Sequence, residues 1–591
     1  MDIKRAFERF TFKRLKQDLF QWLQTESLIS NSLAVIVGVF TGLVIAFYGT
    51  LLELSHKLFF GTNTEGPGYF LILVPALGGL IVGLIVHFLI RTRRYDIEEV
   101  IEATALKGGK MSPRSAFLEV LASAVSIGSG GSVGKEAPVV LAGSGVGSSL
   151  AQILRIHGSR VKILVGCGAS GGIAAAYNAP LAGVVFVVEV ILGELEARTF
   201  IPIVISAVFA TLVASVVFDV KTIEVASYSF VNPFYESILY LGLGILAGLA
   251  SVLLMRTLYG VHGFFDSLNV HPVIKPAIGG LCVGIIGFFY PQVFGVGYDV
   301  ISAALNNQLV MELMLILIFL KIIAFSFTMG SGGSGGSIVP ALFVGAMLGG
   351  AYGSVVHDIF PGMTAESGAY ALVGMGAVFA GTSRAPLASI LILFELTQDY
   401  NMILPIMLAC VVSNLVSSSL NSESIFTEGL HRRGFTIRKG REIDIMESLL
   451  VRDAMKHNVQ TVSENKNVGA LISLMQSSRH AGFPVLDPNG KLSGIVTLKD
   501  VRDKVIHDEL DMTINEICSK EVETAYPDET LNTVLKRLAA KDIGRLPVVS
   551  RSERTKLLGI ITRSDIVKLY DKKILDKVQR LQKESTQSES E

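Results

Sequence analysis

The chain has 591 residues, of which 50% are apolar and only 17% are charged, and its mean hydropathy is +0.53. A soluble domain this apolar has about a quarter of its residues charged, so the composition indicates a membrane protein and excludes a disordered chain, collagen and a coiled coil. The 51 basic residues balance 51 acidic ones, which gives no electrostatic reason to expect nucleic acid as a partner.

Charge is distributed unevenly along the chain. Residues 441–591 hold 48 of the 102 charged residues, although they are a minor part of the length. The first 440 residues therefore have the composition of a membrane domain, and the rest has that of an ordinary soluble domain. We expect an integral membrane protein with a C-terminal soluble module.

The N-terminal segment, residues 1–30, is both basic and apolar. It combines six lysines and arginines with several phenylalanines and Trp22. This composition is typical of an amphipathic helix that lies on a cytoplasmic membrane surface. A solvated helix packed on the C-terminal module is the alternative.

Two long apolar runs follow, starting at Ser32 and Tyr69. Each is long enough to cross a hydrocarbon core of about 30 Å. The loop between them, residues 61–68, has no lysine or arginine, whereas three arginines follow the second run within residues 91–94. The positive-inside rule then predicts a cytoplasmic N-terminus.

After Met111 the apolar stretches become shorter and are interrupted by glycine clusters and prolines. Irregular backbone at membrane depth is tolerated only where it is buried in protein or lines a polar cavity. The pattern therefore predicts broken helices around an ion pathway rather than a receptor-like bundle of simple spans.

The membrane part contains an internal repeat. Its landmarks, with their offsets, are Ser-Gly-Gly-Ser at 129–132 and 334–337 (205), Ala-Pro-Leu-Ala at 179–182 and 385–388 (206), and Glu189 with Glu395 (206). We therefore expect two homologous halves, residues 31–220 and 235–430. Inverted halves that meet at broken helices are the usual plan of a transporter whose site lies at the midplane. The predicted fold of this part is an all-α polytopic membrane domain.

The soluble part repeats as well. Gly494-Ile-Val-Thr-Leu-Lys-Asp500 recurs as Gly559-Ile-Ile-Thr-Arg-Ser-Asp565. We expect a linker over 431–450, a pair of α/β units over 451–575 and a polar tail over 576–591.

The glycine-rich stretches 128–138 and 335–341 have the chemistry of an anion site. The free N–H groups and the dipole at the start of a helix favour a negative charge. Glycine lets the backbone approach closely, and proline in the first turn wastes no hydrogen bond. The predicted anion ligands are Gly134, Lys135 and Ala137 at the first helix start and Ser337, Ile338 and Val339 at the second. The alternative is that the glycines serve tight helix packing alone.

Glu136 is an acidic residue at the mouth of the first of these helices. A carboxylate inside a membrane indicates function by default. When ionised it can occupy an anion site, and when protonated it must leave, so we expect it to act as a gate and a proton carrier. In the alternative, it pairs with Lys135 at the surface.

These motifs resemble those of the CLC family of chloride channels and proton-coupled anion exchangers. Gly134-Lys-Glu-Ala-Pro138 is similar to the Gly-Arg-Glu-Gly-Pro motif that holds the family's gating glutamate, and Gly336-Ser-Ile-Val-Pro340 is similar to its Gly-x-Phe-x-Pro motif. Asn178-Ala-Pro-Leu-Ala-Gly183 and residues 384–397 match as well. The resemblance covers residues 30–430 and implies a homodimer with a separate anion pathway in each subunit. The C-terminal repeats resemble a tandem pair of CBS domains.

The chain departs from the family pattern at two anion-binding positions. The family's Gly-Ser-Gly-Ile-Pro motif should fall at residues 94–98, where its serine is missing and Tyr95 takes its place. The family's pore tyrosine corresponds to Phe426. Both changes put the anion selectivity in doubt.

A third departure concerns proton coupling. The family's exchangers usually carry a second glutamate directly after the position of Glu189, where this chain has Val190. The candidate proton path then comprises Glu136, Glu189 and Glu194, with Glu196 close by. The missing glutamate favours channel-like passive conduction, with proton/chloride exchange as the alternative.

The CBS-like repeats carry a candidate nucleotide site. Thr497 with Asp500, and Thr562 with Asp565, match the Thr-x-x-Asp pattern that in this superfamily contacts phosphate and ribose. A carboxylate can accept hydrogen bonds from both ribose hydroxyls. The pair is therefore expected to bind regulatory ATP, ADP or AMP, or alternatively to bind nothing and only to dimerise.

Other function classes fit less well. The glycine motifs that resemble those of enzymes lack their usual context, and the four cysteines are too far apart for a disulfide framework or a zinc site. We therefore expect no enzyme, metal or required cofactor. The rivals are a transporter of another ion with CBS regulation and a membrane-anchored nucleotide sensor. The expected location is a prokaryotic inner membrane with the CBS pair in the cytoplasm.

Overall fold

The structure is a computed structural model of the chain. The residues that it describes are 26–61, 70–90, 97–156, 158–193, 197–217, 233–398, 400–433, 449–478, 480–506, 510–570 and 572. Contacts divide the chain into two compact units, Met1–Ile443 and Asp444–Glu591. Several sequence predictions lie outside the described residues: segment 1–25 of the surface helix, Tyr95, Glu194, Glu196, most of the linker (434–448) and the tail.

The first unit is helical. Its first eight helices are α1 (Glu26–Phe60), α2 (Phe70–Leu84), α3 (Glu98–Leu106), α4 (Pro113–Gly128), α5 (Glu136–Ile153), α6 (Ser159–Tyr177), α7 (Pro180–Phe186) and α8 (Ala197–Val217). The next eight are α9 (Pro233–Ser267), α10 (Lys275–Phe289), α11 (Tyr298–Leu305), α12 (Met311–Gly330), α13 (Ile338–Ile359), α14 (Ser367–Ser383), α15 (Pro386–Thr397) and α16 (Ile403–Leu420). A short helix, α17 (Glu428–Arg432), follows.

The helices differ in whether they can cross a membrane. Among the described residues, seven are long and apolar enough to span one. Helices α7 and α15 are among those that are too short. Each begins with a proline, which follows an alanine, and the residue before that alanine, Asn178 or Arg384, is in the left-handed conformation. The polytopic membrane unit with broken helices is therefore confirmed.

The two runs of eight helices correspond one to one, and they meet through equivalent residues. Gly134 and Gly336 form an antiparallel bridge in which each N–H donates to the other's carbonyl, at 2.8 and 2.7 Å. Each lies two residues before a helix, α5 or α13. Two equivalent residues can donate to each other in this way when the two halves are related by a local two-fold axis. The internal repeat is therefore confirmed.

One landmark of the repeat was placed in the wrong register. Helices α4 and α12 end at Gly128 and Gly330, and α5 and α13 begin 202 residues apart. The counterpart of residues 129–132 is therefore the Ser-Gly-Gly-Ser at 331–334, not the overlapping copy at 334–337. The offset becomes 206 at the Ala-Pro motifs because α13 has 22 residues and α5 has 18.

Backbone conformation supports the corrected register. Gly130 has φ +95° and Gly332 has φ +101°, and they are the second residues of the two equivalent motifs. A φ this large lies beyond the left-handed helical region of Asn178 and Arg384 and is favourable only for glycine. The turn that leads from α4 toward α5 is thus repeated between α12 and α13.

The second unit contains two α/β repeats. The first comprises α18 (Val451–Ala454), β1 (Val462–Ser463), α19 (Val468–Ser478), β2 (Gly482–Leu486), β3 (Leu492–Thr497) and α20 (Leu498–Ile506). The second comprises α21 (Ile514–Ile517), α22 (Leu531–Ala540), β4 (Arg545–Val549), β5 (Leu557–Thr562) and α23 over 563–570.

The two repeats of this unit share an antiparallel pair of strands, to which the first repeat adds a third strand. In the first sheet β1 is parallel to β2 and β2 is antiparallel to β3, with Phe483 opposite Val496. In the second, β4 is antiparallel to β5, with Leu546 opposite Ile561. The inward residues are buried because alternate side chains of a strand point to the same face. The predicted pair of α/β units is confirmed.

Candidate functional site

The site is built from the starts of α5 and α13, which the Gly134–Gly336 bridge brings together. The N-cap residues, Lys135 and Ser337, are both helical in backbone conformation, and neither side chain caps its helix. The first N–H groups of the two helices therefore lie close together, in a buried part of the backbone, and no side chain of the N-cap residues accepts their hydrogen bonds. Such a pair of helix starts favours a negative charge between them.

The Glu136 side chain occupies this position. The residue is 0% exposed, and its carboxylate interacts with the backbone N–H groups of Glu136 itself and of Val339, one from each half. A Cβ atom at either Gly134 or Gly336 would collide with one of its oxygens, Oε2. The glycines are thus needed for the close approach of the backbone to the carboxylate.

A tyrosine holds the other carboxylate oxygen. The hydroxyl of Tyr177, the last residue of α6, donates a hydrogen bond of 2.5 Å to Oε1 of Glu136. Tyr298, the first residue of α11, is partly buried beside Tyr177 and interacts electrostatically with Glu136. The carboxylate is therefore held in an environment of hydroxyl and N–H donors from both halves.

A wide vestibule reaches this group of residues. Its volume is about 940 Å³, and its lining includes Lys135, Tyr298, Tyr48, Glu53 and His56. The Lys135 ammonium lies 5.7 Å from the ring centroid of Tyr177 and 5.4 Å from that of Tyr298. A cation over two rings next to the carboxylate makes this end of the vestibule attractive to anions.

The predicted anion ligands fall into two groups. Gly134, Lys135, Ala137, Ser337, Ile338 and Val339 all lie at the two converging helix starts. Phe426 is also buried, and its ring packs edge-on against Phe186 with centroids 6.0 Å apart. The described contacts of Phe426 do not include the helix starts, and its ring offers no hydroxyl to an anion.

Helix α17, which begins two residues after Phe426, is held against α3 by ion pairs. Arg433 donates from Nη1 to Glu102 Oε2 at 3.2 Å, and its Nη2 pairs with Glu98. Lys107 also pairs with Glu102, at 2.9 Å. These contacts fix α17, and with it Phe426, relative to α3.

Glu189 and Glu395 cap helices across the repeat. The Glu395 carboxylate accepts hydrogen bonds from the backbone N–H groups of Leu181 (2.9 Å) and Ala182 (2.6 Å), at the start of α7. The Glu189 carboxylate accepts from the first turn of α15 in the same way, with its shorter bond, 2.8 Å, to Ala388. The described contacts of Glu189, a candidate for the proton path, are thus those of a helix cap.

The threonine–aspartate pairs of the second unit lie at helix starts. Asp500 Oδ2 accepts from the N–H and the hydroxyl of Thr497, both at 2.8 Å, where β3 passes into α20. Asp565 Oδ2 accepts from the Thr562 hydroxyl at 2.6 Å, and its Oδ1 lies 3.4 Å from the Lys456 ammonium. The geometry is that of a helix cap, and it leaves nucleotide binding as a proposal.

Sequence reasoning missed two residues of the membrane unit, Tyr177 and Glu119. Tyr177 directly precedes the Asn178-Ala-Pro motif, but nothing in that motif indicates that it contacts Glu136. Glu119 lies in the apolar helix α4 and accepts a hydrogen bond of 2.6 Å from Ser334. The rule that intramembrane acids are functional candidates would have identified it.

Comparison with known protein families assigns both units. A family model described as voltage gated chloride channel matches residues 78–418, and a CBS domain model matches residues 451–507 and 514–572.

Individual relatives match in the same way. A ClcB-like protein of Ralstonia nicotianae is 36% identical over 379 residues, which are 63% of this chain and 88% of the relative. The chloride channel protein CLC-f of Arabidopsis thaliana is 28% identical over an alignment of 622 positions that covers 89% of this chain and 78% of the relative. A solved structure of a eukaryotic CLC transporter covers 91% of this chain and 98% of its own, with 19% identity and a TM-score of 0.63. That likeness shows the fold.

Proposed function

The chain belongs to the voltage-gated chloride channel (CLC) family of anion channels and transporters, and from this premise we propose that it moves chloride or a similar anion across a membrane, with Glu136 as the gate. The observation that carries the proposal is the buried Glu136 carboxylate between two converging helix starts. This is the position that a permeating anion would need.

In the proposed mechanism, the Glu136 carboxylate and a chloride ion compete for the same hydrogen-bond donors. While ionised, the Glu136 carboxylate occupies the donors of both helix starts and blocks the pathway. When the carboxylate takes up a proton it loses its charge, so the N–H groups and the Tyr177 hydroxyl become available to a chloride ion from the vestibule. Weak, convergent donors can replace the ion's water without binding it too tightly.

Mutation of Glu136 tests the gate. In liposomes that contain the purified full-length protein, we expect chloride efflux above that of empty vesicles. Glu136→Ala and Glu136→Gln should raise the efflux severalfold and remove its dependence on pH, because neither side chain carries a negative charge into the site.

A matched control is available in α9. Glu236 is also fully buried and accepts a hydrogen bond of 2.6 Å from the Ala365 N–H, at a different helix start. Glu236→Gln should leave the pH dependence of the efflux unchanged. Wild-type efflux equal to that of empty vesicles would rule out anion transport, and unchanged efflux in both Glu136 variants would rule out the gate.

We propose proton/anion exchange as the second candidate form of this activity. Val190 favours passive conduction, but the membrane unit holds another acid, the partly buried Glu119, whose hydrogen-bond partner Ser334 lies close to the crossing of the two halves. The reversal potential under opposed chloride and proton gradients separates the two forms. A value at the chloride Nernst potential means passive conduction, and a displaced value means exchange.

The setting of the protein is also part of the proposal. We propose a two-fold homodimer with one anion pathway in each subunit, located in a prokaryotic inner membrane. Its N-terminus and CBS pair would face the cytoplasm, as the arginines within 91–94 suggest by the positive-inside rule. We further propose that adenine nucleotide at the CBS pair modulates transport.

A further inference from the structure

Helix α4 carries an acid that the gate mechanism does not use. Glu119 lies in its second turn, in an otherwise apolar stretch, and is partly buried. An ionisable residue at such a place is costly and is kept where it serves a pathway. Its position relative to Glu136 is therefore informative.

The partner of Glu119 belongs to the other half of the repeat. The buried hydroxyl of Ser334 donates a hydrogen bond of 2.6 Å to Glu119 Oε1. Ser334 lies two residues before Gly336, and Gly336 pairs with Gly134, two residues before Glu136. Glu136 thus follows one residue of this backbone crossing by two positions, and the hydrogen-bond partner of Glu119 precedes the other residue by two positions.

Glu119 interacts with charged or polar groups on two other helices, α3 and α1. Glu119 interacts electrostatically with Glu99 on α3. It also interacts with Tyr48 on α1, whose phenol interacts with Glu136 as well and lines the vestibule. Glu119 is therefore near enough to α3, which follows the basic segment 91–94, to interact with Glu99, and it shares its neighbour Tyr48 with Glu136.

The hydrogen bond to Ser334 suits a group that gains and loses a proton. A hydroxyl can donate to an ionised carboxylate, and it can accept from a protonated one. The contact therefore persists in both protonation states with only a rotation of the hydroxyl. The caps made by Glu189 and Glu395 differ, because a backbone N–H can only donate.

We propose that Glu119 is a second proton-transfer carboxylate of this protein, in the role left open by Val190. A proton from water on the α3 side binds to the Glu119 carboxylate. The proton then passes from Glu119 to Glu136 through water between them: the O–H bond on Glu119 breaks, each water gives up one proton as it accepts another, and an O–H bond forms on Glu136. One proton is thereby transferred, Glu119 becomes an anion again and neutral Glu136 leaves the helix starts. This inference rests on the proposed gate and on the second candidate form of the activity, proton/anion exchange, and it adds the source of the gate's proton.

The reversal potential of the full-length protein in liposomes tests the role of Glu119. For the wild type under opposed chloride and proton gradients, we expect a potential displaced from the chloride Nernst value. Glu119→Gln should bring it to that value while chloride flux stays above that of empty vesicles. Glu395→Gln, which alters a half-buried carboxylate in a helix cap, should keep the wild-type displacement.

A second variant covers the case in which Glu119→Gln does not fold. Ser334→Ala leaves the carboxylate and removes its hydrogen bond, so it should lower the number of protons moved per chloride ion. A wild type at the chloride Nernst potential, or wild-type coupling in either variant, overturns the role of Glu119 and leaves anion transport standing. Absence of any chloride flux in the wild type would instead overturn the proposed function.

Discussion

At the scale of single residues, the hydrogen bond from Tyr177 decides where the Glu136 carboxylate rests. Oε2 is buried and has no side-chain donor among the described residues, whereas Oε1 receives the phenol at 2.5 Å. A hydrogen bond to a charged group contributes about 1.5–3 kcal/mol. The Tyr177 hydroxyl is therefore a principal donor that keeps the carboxylate of Glu136, the proposed gate, in the site.

The first prediction concerns this phenol. Tyr177→Phe should raise chloride efflux by about tenfold at neutral pH, because the loss of about 1.5 kcal/mol favours departure of Glu136 from the site. The measurement is efflux from liposomes at matched protein density. Tyr370→Phe is the control: Tyr370 is buried against Tyr240, and its hydroxyl has no hydrogen-bond partner in the described part of the chain. Equal efflux for Tyr177→Phe and the wild type would contradict the prediction.

At the scale of helices, the reciprocal caps of α7 and α15 join the two halves. Each helix begins in the left-handed turn at Asn178 or Arg384 and has no cap of its own. The carboxylate comes from the opposite half, where it satisfies two N–H groups and interacts favourably with the helix dipole. Glu189 and Glu395 therefore stabilise the contact between the repeats.

The second prediction follows from these caps. Glu189→Gln and Glu395→Gln should each lower the free energy of unfolding by about 1–2 kcal/mol, because the charge and one acceptor oxygen are lost. Thermal unfolding in detergent measures this loss. The control is Glu312→Gln, which alters an exposed acid in the first turn of α12. If Glu189→Gln abolishes proton coupling without loss of stability, Glu189 is a proton carrier and not a cap.

At the scale of the whole molecule, a membrane unit is joined to a pair of CBS repeats in one chain. The repeats share one hydrogen-bonded unit, in which Arg545 of β4 donates to the Gly482 carbonyl of β2 at 2.9 Å. Asp500 and Asp565 occupy equivalent helix starts in it. Regulation by nucleotide would therefore act on the CBS pair as a single body.

The third prediction tests nucleotide binding in the full-length protein. A nucleotide at 100 times its dissociation constant stabilises the state that binds it by about 2.7 kcal/mol, so ATP, ADP or AMP should raise the midpoint of the CBS transition in thermal unfolding. Asp500→Asn with Asp565→Asn should abolish the ligand-induced shift. Asp528→Asn, an exposed residue paired with Arg551, should retain it. A midpoint unaffected by all three nucleotides would exclude the site.

Much of the fold can be predicted from the sequence because the sequence patterns that indicate it are local. Apolar length, glycine and proline spacing and the β-turn-β pattern each reflect the conformation of a few neighbouring residues. The register error at residues 334–337 shows the limit of such signals, since two overlapping Ser-Gly-Gly-Ser copies are equally good matches in sequence. Only the ends of α12 and the left-handed Gly332 distinguish them.

The sequence by itself determined the membrane unit, its repeat, the helix starts within residues 128–138 and 335–341, and Glu136 as the acid at the first of them. Only the tertiary structure decided which groups meet there: Tyr177 on Glu136, Ser334 on Glu119, and Glu189 on α15. The physical reason is distance along the chain. A helix start is specified by a few adjacent residues, whereas these hydrogen bonds join residues between 41 and 215 positions apart, and only the packing of the two halves brings them within reach.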